Sequence, residues 1–153
     1  MNIVFIKGGG KFDQMQTIRP GKLPEVIDCP KQGIIPHDMV HYAVEHTLDV
    51  RGFLSRVREG EAADFQMQGE PLSDAVERLV EVVQGDQWSG GHSPATDLIE
   101  MYRVTCDARS CSMLAIDEAD IFAVRDMVAD LSARWTALPV GGRLELRFSH
   151  ESG

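Results

Sequence analysis

The stretch Arg143–Ser149 reads RLELRFS, and its alternation decides the fold. Leu144, Leu146 and Phe148 fall on one face, and Arg143, Glu145 and Arg147 on the other. Side chains alternate across a strand, so this is a strand with one packed face and one wet face. Such a strand needs neighbours, and the opposite end of the chain supplies them. Asn2–Lys7 (NIVFIK) is apolar and rich in β-branched residues. Gly8, Gly9 and Gly10 break it, and Phe12–Arg19 returns as the second strand of a hairpin. Glu25–Cys29 (EVIDC) can add a short third strand, ended by Pro30, which has no backbone donor.

The chain between these ends has helical periodicity. Pro36 suits a first helical position, and Met39, Val40, Ala43, Val44, Thr47 and Leu48 form the apolar face behind it. Arg51-Gly52 interrupts, and a short helix carries Phe53, Leu54 and Val57 as far as Gly60. Glu61–Gly69 reads as a polar loop. A helix from Pro71 to about Gln84 aligns Leu72, Val76, Leu79, Val80 and Val83, with Gly85 as its terminator. Ser93 and Pro94 read as the N-cap and first turn of a helix bearing Leu98, Ile99 and Tyr102, which Asp107–Ser112 interrupts. Asp117 caps the longest helix, along which Ile121, Val124, Val128, Leu131, Trp135 and Leu138 recur; Pro139 and Gly141-Gly142 stop it. The expectation is an α+β fold, residues 1–153 as a single domain. The N-terminal hairpin and C-terminal strand share a small antiparallel sheet, four to five helices pack on one face, and His150–Gly153 fray.

Composition narrows the function classes. The 153 residues are 43% hydrophobic and 25% charged, which fits a globular chain. A formal net charge of −9 argues against nucleic acid, and no helix-turn-helix with a basic second helix is visible. Arg51, Arg56 and Arg58 read as a solvated helix face. Gly8–Lys11 is not a phosphate loop, because neither the Walker spacing nor a following helix is present. Cys29, Cys106 and Cys111 form no disulfide framework, which suits a reducing compartment. The N-terminus lacks a signal-peptide pattern, and no apolar run approaches the ~20 residues of a membrane helix. A cytoplasmic protein is expected, with no membrane partner.

The densest set of chemically capable side chains is Gly33–Asp49, GIIPHDMVHYAVEHTLD. At 100° per residue, His37, His41 and Glu45 follow one border of the helix's apolar face, while Asp38 and Asp49 sit further toward solvent. Two imidazoles at i and i+4 can grip one metal ion, and Glu45 could add an oxygen ligand. Such a set suits zinc, or ferrous iron as a facial triad. Asp38 is the candidate catalytic carboxylate; it is shorter than the Glu of the zincin motif. Further ligands could come from His92, Asp97 or Cys106, which nothing in the sequence brings there. The structural alternative is an ordinary His41–Glu45 helix pair with Asp38 favouring the helix dipole. Trp88 with Gly90, Gly91 and His92 reads as a binding loop or as a plain connection.

PHDMVHYAVE followed by Arg51-Gly52-Phe53 resembles a pattern in an uncharacterised family of short bacterial proteins, P-H-D-x-x-H-x-x-x-E and then Gly-Phe. RWTALPVGGRLELRF is similar to the W-x-x-L-P-x-G-x-x-L-x-L segment that ends many of them. The resemblance covers about a quarter of the chain and implies one compact domain with these segments close together. It implies no activity or cofactor, and Leu54 departs from the aromatic residue that often follows Gly-Phe. Two functions stand on the sequence. One is a small non-enzymatic domain acting through a protein partner or as a homodimer. The other is a metal-dependent hydrolase or related enzyme built on His37, His41 and Glu45.

Overall fold

The computed structural model describes residues 1–60 and 71–148. Strands β1 (Asn2–Ile6), β2 (Phe12–Ile18) and β3 (Glu25–Pro30) come first. Helices α1 (His37–Leu48), α2 (Phe53–Arg58), α3 (Pro71–Trp88), α4 (Ala95–Ala108) and α5 (Glu118–Thr136) follow, and β4 (Arg143–Arg147) closes the order. The expected loop at Glu61–Gly69 and the expected frayed tail at His150–Gly153 lie outside the described residues.

The sheet is antiparallel with strand order β3-β2-β1-β4, so the C-terminal strand pairs with the N-terminal one. Register follows the apolar pattern. Phe5 lies opposite Met15 on one side and Leu144 on the other, and Ile3 lies opposite Leu146. These inward residues join Met39, Val40, Leu79, Leu98, Val128 and Leu131 in one hydrophobic cluster. Lys7 ties the sheet to the helices: its ammonium donates to the carbonyls of Trp135 and Leu138, both at 2.9 Å, at the end of α5. A cation there also complements the negative end of the helix dipole.

Helix ends follow local chemistry, with three departures from expectation. Asp117 caps α5 as expected, and the bond is reciprocal: Asp120 N–H donates to Asp117 Oδ1 at 3.0 Å, and Asp117 N–H to Asp120 Oδ2 at 3.0 Å. Pro36 is the N-cap of α1 instead of its first helical residue. Gly85 does not stop α3, which continues to Trp88. The terminator is Gly90, at φ 101°; its N–H donates to the Gln87 carbonyl, and Gly91 N–H donates to that of Asp86. That pair of bonds is a Schellman motif, which needs the left-handed backbone that glycine adopts without strain. Ser93 is not the cap of α4 either. Pro94 occupies that position without a side-chain cap bond. The backbone of Ser93 is held instead by Asp86 and Arg125.

Asp86 and Arg125 also fasten the bundle. The Asp86 carboxylate is buried and receives two Arg125 donors at 3.0 and 3.1 Å, and Ser93 N–H at 3.2 Å. Among the described residues, no helix is long and apolar enough to cross a membrane.

Candidate metal centre

Helix α1 packs against α3, and the contact brings His37 and His41 to Glu77. The three side chains can each offer one ligand atom, all within 4.8 Å of one another. Glu77 Oε1 lies 3.1 Å from His37 Nε2, and Glu77 Oε2 lies 2.6 Å from His41 Nε2. The rings meet edge to face, with centroids 4.9 Å apart. His41 is buried, whereas the side chains of His37 and Glu77 are 37% and 32% exposed. The group is therefore anchored on one side and open on the other.

Each imidazole is braced through its second nitrogen. Nδ1 of His41 lies 3.0 Å from Glu45 Oε2, and Nδ1 of His37 lies 2.8 Å from Gln84 Oε1. Bracing of this kind orients ligating histidines in metal sites. It leaves both Nε2 atoms facing the Glu77 carboxylate.

Glu45 sits on α1 as its sequence position predicts, but it meets His41 at Nδ1, not at the Nε2 that faces Glu77. Its Oε1 accepts Gly52 N–H, Ser55 N–H and the Ser55 hydroxyl at 3.0, 3.0 and 3.1 Å. Its Oε2 accepts Leu54 N–H at 3.1 Å besides the His41 contact. Glu45 thus caps the first turn of α2, whose backbone donors have no helical partner of their own. Gly52 is required by this approach, because a Cβ there would stand 2.7 Å from Glu45 Cδ and 2.7 Å from Val76 Cγ1. The third carboxylate beside the imidazoles belongs to Glu77.

The electrostatics follow from burial and pairing. Burial opposes a charge on His41, but Glu45 and Glu77 outweigh it and lift its pKa to about 10. Burial also opposes a charge on His37, and the hydrogen bond to Glu77 again prevails, so its pKa is raised. Burial would push Glu77 up, yet the two imidazoles hold it well below the usual carboxylate range. Asp38 is half-buried, and its carboxyl is raised by burial against the pull of His41 and His37. The Cys29 thiol donates to Asp38 Oδ2 at 3.7 Å. Burial, and then the Asp38 charge, push that thiol far up, which makes it a poor nucleophile.

The other candidates fall elsewhere. His92 and Asp97 are exposed beside the start of α4, and Cys106 is buried in the core. None of the three belongs to the metal-competent group. Trp88 ends α3, 56% exposed, and its indole N–H donates to the Gln32 carbonyl at 2.9 Å. Sequence reasoning missed Glu77 and Gln84. Their signal was a seven-residue spacing, which puts both on one line of α3 beside Val76, Val80 and Val83. Comparison with protein-family models, with curated proteins and with solved structures finds no match.

Proposed function

We propose that His37, His41 and Glu77 bind a divalent metal ion of the zinc class and that the centre activates water for hydrolysis. The observation that carries this reading is the convergence of two Nε2 atoms and one carboxylate, each imidazole braced through Nδ1. Two nitrogens and an oxygen, with an open side, match the ligand number of catalytic zinc sites. When bound, the ion would lower the pKa of a coordinated water and polarise a substrate carbonyl or phosphoryl oxygen. His41 supplies the rigid ligand, and His37 and Glu77 the ligands nearest solvent. In this reading Asp38, its carboxyl raised by burial against the pull of both rings, serves as the proton relay.

A second reading has its own support. With protonated imidazoles, Glu45, Glu77 and Gln84 make four contacts with the two rings, a hydrogen-bonded set that clamps α1 to α3 without any ion. That suits a non-enzymatic domain working through a protein partner or a second copy of itself. Zinc titration separates the two. In the metal-centre reading, zinc at about a hundred times its Kd stabilises the fold by about 2.7 kcal/mol, a rise in melting temperature of roughly 5–10 °C. Glu77→Gln and His41→Ala should abolish that rise. No shift with zinc, manganese or iron, and no metal in the purified protein, would leave the clamp as the function of these residues.

The pH dependence has opposite signs in the two states. His41 is raised from 6.5 to about 10, so its contribution to metal-free stability is complete below pH 6.5 and is lost as pH climbs toward 10. Glu77 is depressed from 4.5, so its contribution is complete above pH 4.5 and is lost on acidification. For the metal-free protein these two groups are most stabilising between pH 4.5 and 6.5. A metal must displace the His41 proton, so zinc affinity instead rises with pH across neutrality, roughly tenfold per unit for each proton released. Thermal melts at pH 6 and pH 8, with and without zinc, check both signs; zinc stabilisation that weakened at the higher pH would contradict the assignment.

A further inference from the structure

The network around His37 runs further than its immediate partners, and its far end is a backbone atom. Gln32 Nε2 donates to the Ile35 carbonyl at 2.7 Å and to Gln84 Oε1 at 3.0 Å. Gln84 Oε1 also lies 2.8 Å from His37 Nδ1. Amide orientations and imidazole tautomers are normally assigned and not seen, but here chemistry fixes each link in turn. A backbone carbonyl only accepts, so the Gln32 atom facing it must be the NH2 group. That NH2 then faces Gln84, which must answer with its oxygen. The same oxygen faces His37 Nδ1, which must therefore carry a proton. Nε2 faces the Glu77 carboxylate, so it too carries a proton in the metal-free protein; the Gln84 bond favours keeping the Nδ1 proton and giving up the Nε2 proton to a metal.

We infer that Gln84, set by Gln32 and the Ile35 carbonyl, is the positioning residue that holds His37 in its Nε2-ligating tautomer. This rests on the metal-centre reading and adds its control element: the loop ahead of α1 governs metal affinity without touching the metal. Trp88 steadies that loop from the other side, through its indole bond to the Gln32 carbonyl. His41 needs no such relay, because its Nδ1 donates to Glu45, an oxygen already fixed by the first turn of α2. The exposed ligand is thus tunable, and the buried one is not.

Two variants test the inference by zinc titration of the full chain. Gln84→Met keeps side-chain length and removes the acceptor; Gln84→Glu keeps an acceptor for both Gln32 and His37. Gln84→Met should weaken zinc binding roughly ten- to hundred-fold, the range for lost outer partners of ligating histidines. Gln84→Glu should bind within a few-fold of the parent chain, or tighter. Equal losses in both variants would overturn the inference. Two-bond proton–nitrogen NMR spectra of the neutral rings give a second readout, which a merely structural role would not move. The Nδ1-protonated share of neutral, metal-free His37 should fall in Gln84→Met, where only Glu77 at Nε2 is left to accept, while His41 stays unchanged. An unchanged His37 tautomer in Gln84→Met would also overturn it. If the parent chain binds no zinc, the metal-centre reading fails and the tautomer comparison alone decides the relay. Should Gln84→Met not fold, Gln32→Met breaks the relay at its half-buried first link and is read in the same two ways.

Discussion

Glu45→Ala is expected to remove about 3–5 kcal/mol of folding stability, the range for taking one partner out of a buried charged network. Out of a total of about 5–15 kcal/mol for a domain, that is a severe loss. The reason is the number of donors left behind. Gly52, Leu54 and Ser55 each point a backbone N–H at this carboxylate, the Ser55 hydroxyl adds a fourth donor, and all lie out of water's reach. A buried donor without an acceptor costs about 1–3 kcal/mol. Glu45→Gln should also destabilise, because its NH2 must face a donor at whichever end it is placed. Gly52→Ala attacks the same contact from the other side, since its methyl group would overlap Glu45 and Val76. Urea denaturation measures all three. A loss below about 1 kcal/mol in Glu45→Ala would mean that water reaches the first turn of α2 and satisfies it.

Asp86→Ala is expected to be the next most damaging change, again about 3–5 kcal/mol. Asp86 on α3 and Arg125 on α5 form a two-pronged pair around the Ser93 backbone, so one carboxylate joins two helices and the start of a third. Removing it strands a guanidinium that is only 17% exposed. Taking both charges away should cost much less than the sum of the single losses. A double-mutant cycle over Asp86→Ala and Arg125→Ala should give a coupling of about 1–3 kcal/mol. Additive losses would show that the two side chains stabilise the bundle independently.

Much of the fold was legible because its signals are local. The alternation of RLELRFS, the glycines after Ile6, Pro36 ahead of α1 and the Asp117 cap each act within a few residues. Each of those elements lies where its own sequence put it. Gly85 misled for the same local reason. Glycine often ends helices, but Asp86 is locked by Arg125 and Gly90 offers a better left-handed stop five residues on. Ser93 misled likewise, its backbone being engaged by the same pair.

The site divides along the same line. His37 and His41 were readable as a ligand pair, because i,i+4 spacing on a helix is a property of the helix alone. The third carboxylate was not. Glu45 and Glu77 are the same chemical group, each on the border of an apolar helix face, and sequence cannot rank them. What separates them is which segment folds against each one. The first turn of α2 brings four donors to Glu45 and consumes its oxygens, while α3 lies across α1 so that Glu77 reaches both Nε2 atoms. Sequence alone therefore determined the strands, the helices and the two imidazoles, whose placement depends on periods of two and 3.6 residues. Only the tertiary structure decided which carboxylate stands beside them, because a carboxylate's role is set by the donors that long-range packing delivers.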